Sequence, residues 1–110
     1  NMKKCLKKNL WFNLYGLGDS QEFHTHHWDS ISGIFYLKTT SKDAKTIFKS
    51  PIKPYPNDGD FAQDNPYTWK MYTVEPKQGT LLLFKSDLEH CVEKQMTKSK
   101  RLTMAFNYSP

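Results

Sequence analysis

The stretch TLLLFKSDLEHCVEKQMTKSKRLTMAFNYS, residues 80–109, sets the fold class of this 110-residue chain. It divides into three strand-like segments, 80–86, 90–94 and 101–109, which are separated by polar, turn-forming residues. The same pattern extends towards the N-terminus, where further strand-like segments occupy 10–15, 22–27, 31–40, 45–50 and 68–75. Many short strands at near-regular spacing, with no helical period, indicate an all-β sandwich or barrel.

The last segment, 101–109, alternates strictly between two faces. Leu102, Met104, Phe106 and Tyr108 share one face, and Arg101, Thr103, Ala105 and Asn107 share the other. Alternation alone favours a solvent-facing position for Arg101 and Thr103, because the apolar face of a strand usually packs on the core. The alternative is that Arg101 points into a polar cavity, where a buried guanidinium requires an anionic partner.

The stretch SPIKPYPNDGDFAQDNP, residues 50–66, interrupts the strand pattern and predicts a long loop. Loops of this length in compact domains are often functional, and the aromatic Tyr55 and Phe61 predict that this one packs over a binding site. We expect a single domain, 1–110, with the loop at about 50–67. Because the chain begins with asparagine rather than methionine, we expect it to be the compact core of a larger family architecture.

Composition narrows the classes of partner. The net charge of +5 gathers in residues 2–8 and 94–101, and such basic runs are typical of solvated surface. No platform of interleaved basic and aromatic residues accompanies them, so we expect no nucleic-acid partner. No apolar run approaches the ~18 residues of a membrane span, so we expect no membrane partner. Cys5 and Cys91 cannot build a disulfide framework, which predicts a reducing, cytoplasmic location.

Three of the four histidines fall within QEFHTHHWD, residues 21–29. His24 and His26 are two positions apart, and on a strand this spacing places both imidazoles on one face, within reach of one metal ion. His90 is the only histidine outside the stretch and is the candidate third ligand. Three ligands leave one face of an octahedral ion open, which suits a catalytic ion better than a structural zinc.

Other residues near the histidines remain open as alternatives. Glu22 or Asp29 could replace one histidine of the ligand set, since carboxylates also bind such ions. Asp87 and Glu89 flank His90 and are candidate acceptors for the ring N–H of a ligand. A surface cluster of histidines without chemistry is the simpler interpretation, and spacing alone does not decide between them.

Four features in a fixed order resemble the iron(II)- and 2-oxoglutarate-dependent oxygenases. They are a His-x-[acid or His] pair, an SG-x-x-YL strand, a G-x-L-x-x-F-x-S-x-x-x-H segment and an R-x-[S/T] pair. The resemblance spans residues 11–108 and is nearest to a branch from marine bacteria and their phages, related to the prolyl hydroxylases. It implies a double-stranded β-helix of jelly-roll or cupin type with little helix, Fe(II) as cofactor and 2-oxoglutarate as co-substrate.

Carried over position by position, the resemblance implies that His24 and His90 are iron ligands. His26 stands where most members of the superfamily have Asp or Glu, and we interpret it as the third ligand. The iron would then be held by three neutral imidazoles, and the three histidines would form the catalytic set. The superfamily's halogenases leave this position empty for halide, so the histidine here favours hydroxylation over halogenation.

The same resemblance assigns the co-substrate site. Arg101 would form a salt bridge with the distal carboxylate of 2-oxoglutarate, and Thr103 and Tyr36 would contact the same group. Asn13 would contact the co-substrate near the metal. Under this interpretation Arg101 and Thr103 face inward, against the expectation from alternation alone.

The function that follows is a hydroxylase-type dioxygenase. It would consume 2-oxoglutarate and dioxygen, release succinate and CO₂, and oxidise a primary substrate that the motifs do not identify. We expect it in the cytoplasm of a bacterium or a phage-infected host cell. The alternatives are a three-histidine cupin-type dioxygenase that does not use 2-oxoglutarate, and a non-catalytic β-barrel ligand-binding domain.

Overall fold

The structure, a computed structural model, describes residues 7–26, 29–51 and 71–109. Within these ranges each of the predicted segments contains a strand. The strands are β1 Lys7–Tyr15, β2 Gln21–His24, β3 Ile31–Lys38, β4 Thr46–Lys49, β5 Met71–Val74, β6 Leu81–Lys85, β7 His90–Val92 and β8 Arg101–Ser109. None of the described residues lies in an α-helix, so the prediction of an all-β fold with little helix is confirmed.

Two four-stranded antiparallel sheets make up the fold. The first has the strand order β1-β8-β3-β6 and the second has the order β2-β7-β4-β5. Apart from the step from β4 to β5, each connection carries the chain from one sheet to the other, which is the arrangement of a jelly roll. The inner faces of the two sheets therefore enclose the interior between them.

Strand β8 lies inside the first sheet and shows which face is the inner one. Arg101 and Thr103 are 1% and 2% exposed, and both side chains lie in the interior. On the outer face the neighbouring strands expose large apolar side chains, including Phe12 and Leu83. The solvent-facing position expected from alternation alone is wrong, because the polar face of β8 lines a cavity and its apolar face lies on the outside of the sheet.

A glycine fixes how β3 packs beside β8. The ring of Phe106 lies directly over Gly33, where any Cβ atom would overlap it. The two residues are partners in the β3–β8 register, and the same register places Ser32 beside Asn107. The glycine of the SG-x-x-YL motif thus permits a close approach that aligns the inner faces of the two strands.

Two sequence predictions fall on the part of the chain outside the described residues. Most of the loop predicted at about 50–67, with Tyr55 and Phe61, lies there, and so does Cys5. Within the described ranges no helix is long and apolar enough to cross a membrane.

Candidate active site

The three predicted metal-binding histidines converge in the interior. His24 ends β2 and His90 begins β7, and the two are partners in the β2–β7 register. One ring nitrogen from each of His24, His26 and His90 lies within 4.8 Å of the others. The structure therefore brings together, from two distant parts of the chain, the set that the sequence indicated.

The position of His26 differs from the sequence-based expectation. The strand ends at His24, so the two histidines do not share a strand face. Instead, the backbone N–H of His26 donates to the carbonyl of Ser86 at 2.8 Å. This bond holds His26 beside the turn that leads to His90, and the three rings meet without a continuous strand.

Backbone carbonyls orient two of the three rings. Nδ1 of His24 lies 2.8 Å from the carbonyl oxygen of Glu22, and Nδ1 of His90 lies 2.9 Å from that of Leu88. A carbonyl can only accept, so each Nδ1 carries a proton and the neutral form of each ring has its lone pair on Nε2. This tautomer is the one required for metal binding through Nε2.

The carboxylates near the histidines do not take the roles considered for them. The ring N–H of His90 donates to the backbone of Leu88 and not to Asp87 or Glu89, and Glu89 instead forms an ion pair with Lys49 at 3.8 Å. Glu22 and Asp29 are likewise not members of the cluster of possible metal ligands among the described residues. Glu22 contributes its main-chain oxygen rather than its side chain.

Burial keeps the cluster in the form that binds metals. It lowers the pKa of His90 to about 4, repulsion from His24 and His26 acts in the same direction, and the contact with Leu88 opposes both. Burial also lowers the pKa of His26, with repulsion from His24 adding to it and Asp29 opposing it. His90 and His26 are therefore neutral at pH 7 and available as ligands.

Aromatic rings enclose the innermost histidine. The ring centroids of Phe84 and Phe48 lie 4.8 Å and 5.8 Å from that of His90. On the other side of the cluster, the ring of Trp11 lies 6.1 Å from that of His26. The walls around the three histidines are therefore largely apolar, which limits the access of water to a bound ion.

Arg101 lines the same cavity beside Thr46, which lies two positions along β4 from Phe48, the register partner of His90. Its Nε donates to the carbonyl of Ala44 at 2.9 Å and its Nη2 donates to Oγ1 of Thr46 at 3.1 Å. The guanidinium carbon lies 5.0 Å and 5.2 Å from the ring centroids of Tyr15 and Tyr36. The cation is thus held by two neutral oxygens and two aromatic rings.

The charge of Arg101 lacks a protein counterion in the described part of the chain, since no salt bridge to it occurs there. Two of the five guanidinium N–H groups are used by Ala44 and Thr46, and three remain on the Nη1 and Nη2 atoms. An uncompensated buried cation is costly, whereas a carboxylate can accept two parallel hydrogen bonds from this edge. The arrangement fits an anionic ligand.

The other residues predicted for the co-substrate site lie around Arg101. Thr103 and Asn13 are partners in the β1–β8 register, and both line the cavity. Tyr36 is fully buried, and its hydroxyl lies 2.6 Å from Oγ1 of Thr46, so its ring packs against the guanidinium while its hydroxyl supports Thr46. A direct contact between Tyr36 and a carboxylate stays a prediction.

Several residues in and around the cavity were not predicted from the sequence. Thr46, at the start of β4, and the carbonyl of Ala44, in the loop before it, reach Arg101 from the other side, which no local pattern signals. Trp11 could have been found, because alternation along β1 places it on the same face as Asn13. One cavity connects Arg101 with the histidines; its lining includes Trp11, Asn13, His24, His26, His90, Arg101, Thr103 and Asn107.

The residues present fit the cofactor and co-substrate that the resemblance implies. Three imidazole nitrogens suit iron(II) among other divalent transition metals. The cavity-facing guanidinium suits a carboxylate of a dianion whose other end reaches the metal, because both features line one cavity.

Solved structures with the same fold include several oxygenases. A Pseudomonas putida prolyl-4-hydroxylase is 20% identical over 94% of this chain and 52% of its own, with a TM-score of 0.65. HygX from Streptomyces hygroscopicus, solved with nickel and 2-oxoglutarate, is 13% identical over 99% of this chain and 60% of its own, with a TM-score of 0.68. A cupin domain from Bordetella pertussis is 9% identical over 99% of this chain and 88% of its own, with a TM-score of 0.59.

The chain thus spans 52% and 60% of the lengths of the prolyl-4-hydroxylase and HygX. No curated protein matches it in sequence. A family profile described as "Putative 2OG-Fe(II) oxygenase" matches residues 9–107, which is nearly the whole chain. The predicted cofactor Fe(II) and co-substrate 2-oxoglutarate are those in the name of that family. The chain therefore belongs to the 2-oxoglutarate- and Fe(II)-dependent oxygenases.

Proposed function

We propose that this chain is a hydroxylase-type dioxygenase in which His24, His26 and His90 hold Fe(II) and Arg101 anchors 2-oxoglutarate. The observation that carries the proposal is the pairing, in one cavity, of a metal-binding histidine cluster with a buried guanidinium that has no salt bridge within the described residues. The hydroxylase type draws support from the prolyl-4-hydroxylase among the similar structures.

Bound Fe(II) supplies the activation of dioxygen, coupled to the conversion of 2-oxoglutarate to succinate and CO₂ and to the oxidation of a C–H bond. The protein's residues bind and orient. Arg101 donates two hydrogen bonds to the distal carboxylate of 2-oxoglutarate, and Thr103 donates its hydroxyl proton to the same group. Asn13, on the adjacent strand, contacts the co-substrate nearer the metal.

Backbone groups keep the proposed ligand rings ordered. The carbonyls of Glu22 and Leu88 accept the Nδ1 protons of His24 and His90, which would leave both Nε2 atoms free to hold the ion. The primary substrate is an unidentified organic molecule that would enter beside the metal. The reducing cytoplasm suits an Fe(II) enzyme, and Cys91 is a free, buried thiol consistent with that location.

A second candidate is a three-histidine dioxygenase that does not use 2-oxoglutarate. The three neutral imidazoles and the likeness to a cupin domain favour it. The two candidates differ in the role of Arg101, which anchors the co-substrate only in the first.

Conversion of 2-oxoglutarate distinguishes them. The protein would be incubated in air with Fe(II), ascorbate and 2-oxoglutarate, and succinate would be followed by NMR over hours, without a primary substrate. We expect slow succinate formation by the wild type and none by His90→Ala. Full persistence of 2-oxoglutarate in the presence of iron-loaded wild type would contradict the proposal and favour the three-histidine alternative.

A further inference from the structure

Two loops meet behind the guanidinium of Arg101, one leading into β4 and the other into β8. The residue at their junction is Ala44, whose carbonyl accepts the Nε proton of Arg101 at 2.9 Å. The backbone N–H of the same residue donates to Oε1 of Gln95 at 2.6 Å. Ala44 is therefore held on one side by Gln95 and itself holds Arg101 on the other.

The amide of Gln95 can adopt only one orientation. Its Oε1 accepts from the N–H of Ala44, which can only donate, and its Nε2 donates to Oδ1 of Asp43 at 2.8 Å. Further acceptors for Nε2 are Oγ1 of Thr97 and the carbonyl of Ser99, each at 3.0 Å. Because Gln95 is fully buried and both ends of its amide are hydrogen-bonded, its side chain is held in one position.

Asp43 holds the Nε2 end of the Gln95 side chain. Its Oδ1 accepts from the hydroxyls of Thr97 at 2.8 Å and Ser99 at 2.6 Å, and its Oδ2 accepts from the backbone of Thr40 at 2.8 Å. Burial acts to raise the pKa of the Asp43 carboxyl, but the hydrogen bonds outweigh it and lower the pKa well below its usual range. The ionised carboxylate thus ties the loop before β4 to the loop before β8.

The contact with Ala44 decides which edge of the guanidinium is free. With Nε bonded to Ala44 and one Nη2 proton bonded to Thr46, the free protons lie on Nη1 and Nη2. These are the protons that a carboxylate binds in an end-on, bidentate pair. If the Ala44 carbonyl were free to move, the guanidinium could rotate and present this edge poorly.

We propose that Gln95, anchored on Asp43, is a positioning residue for the 2-oxoglutarate site: through the Ala44 carbonyl it directs the free edge of Arg101 at the distal carboxylate. The inference rests on the proposed function and deepens it, because it extends the co-substrate site to residues that do not line the cavity. A purely structural role for the network would affect folding but not the recognition of the distal carboxylate.

The test compares two 2-oxo acids on the metal-loaded protein. Isothermal titration under anaerobic conditions with Fe(II) would give the affinity for 2-oxoglutarate and for 2-oxobutyrate, which lacks the distal carboxylate. The ratio of the two affinities measures how well Arg101 recognises that carboxylate. We expect Gln95→Leu to lower the ratio by about tenfold or more, through weaker 2-oxoglutarate binding alone, because a misdirected guanidinium loses part of its hydrogen bonding.

Ser99→Ala is the matched control. It removes a hydroxyl from Asp43 but keeps the backbone carbonyl that accepts from Gln95 and the bond between Gln95 and Ala44, so it should lower the melting temperature without changing the ratio. If Gln95→Leu does not fold, Gln95→Met replaces it, because methionine is close to glutamine in length and removes the amide that bonds Ala44 and Asp43.

The outcomes distinguish the positioning role of Gln95 from the anchoring role of Arg101. A ratio that stays at the wild-type value in the Gln95 variant, or that falls equally in Ser99→Ala, overturns the positioning role and leaves the proposed function intact. A wild type that binds both 2-oxo acids equally overturns the anchoring role of Arg101, and the positioning role falls with it.

Discussion

The two ends of the cavity are built by the same device but differ in charge and burial. At the metal end, main-chain carbonyls of Glu22 and Leu88 orient two neutral imidazoles. At the other end, the main-chain carbonyl of Ala44 orients the guanidinium of Arg101. In each case a fixed backbone oxygen takes one N–H and leaves the opposite side of the group for a ligand.

The difference lies in what each end lacks. The guanidinium of Arg101 is a buried cation, 1% exposed. His24 and His26 are half-buried imidazoles. Among the described residues no carboxylate neutralises Arg101, and none joins the histidine cluster. The positive charges of a bound divalent ion and of Arg101 would therefore have to be neutralised by a ligand. A dicarboxylate that reaches both groups would neutralise both charges. The closed end suits the co-substrate, and the more open end suits the primary substrate.

The largest expected effect comes from breaking the metal end. His90→Ala removes one of three ligands and should abolish stoichiometric Fe(II) binding, a loss of at least about 100-fold in affinity. Anaerobic equilibrium dialysis with metal analysis measures it. Cys91→Ala, next along the same strand, is the control and should retain the metal. Tight, stoichiometric binding by His90→Ala would remove His90 from the ligand set.

Breaking the opposite end should leave the metal in place. Arg101→Ala should weaken 2-oxoglutarate binding by about 2–5 kcal/mol, because the distal carboxylate loses its buried partner. Calorimetric titration of the metal-loaded protein gives the change. Lys100→Ala deletes an adjacent but exposed cation and should have little effect. Equal affinities in Arg101→Ala and wild type would show that this end does not bind the co-substrate.

The hydrogen-bond network of Asp43 and Gln95 behind Arg101 should make the free energy of unfolding depend on pH. Since the folded-state pKa of Asp43 lies below that of the unfolded chain, its ionised form stabilises the fold above about pH 4, and that stabilisation is lost as the pH falls towards the folded-state pKa. Asp43→Asn should cost about 2 kcal/mol at pH 7 and much less at pH 2. Urea unfolding at a series of pH values measures this, and a pH-independent difference would contradict the account.

The smallest effect is expected from adding the missing charge at the metal end. His26→Asp places a carboxylate where most of the superfamily carries an acid, and it should tighten Fe(II) binding without 2-oxoglutarate by about tenfold. The gain in metal affinity on adding 2-oxoglutarate should shrink correspondingly, since part of the charge is already compensated. Metal titrations with and without the co-substrate give both numbers. Loss of metal from this variant would mean that the site requires the longer imidazole.

Local patterns were enough to predict the strands and to single out His24, His26 and His90 as candidates, but only the resemblance to a family made them a ligand set. Alternation also sorted the faces of β8 correctly, but it could not tell which face is inside, and only the resemblance to a family placed Arg101 in the interior. Ala44 and Gln95 were not predicted, because their roles depend on loops that meet only in the fold; Arg101 and Ala44 are 57 positions apart. The position of His26 past the end of β2 depends equally on a distant partner, Ser86.

The central claim is that one cavity binds Fe(II) through three histidines and 2-oxoglutarate through Arg101. Its most direct test is an anaerobic Fe(II) titration with and without 2-oxoglutarate, followed by visible absorption. We expect a weak metal-to-ligand charge-transfer band that requires both components, is absent in His90→Ala, and needs higher 2-oxoglutarate concentrations in Arg101→Ala. Stoichiometric iron binding with no band at any 2-oxoglutarate concentration would contradict the claim.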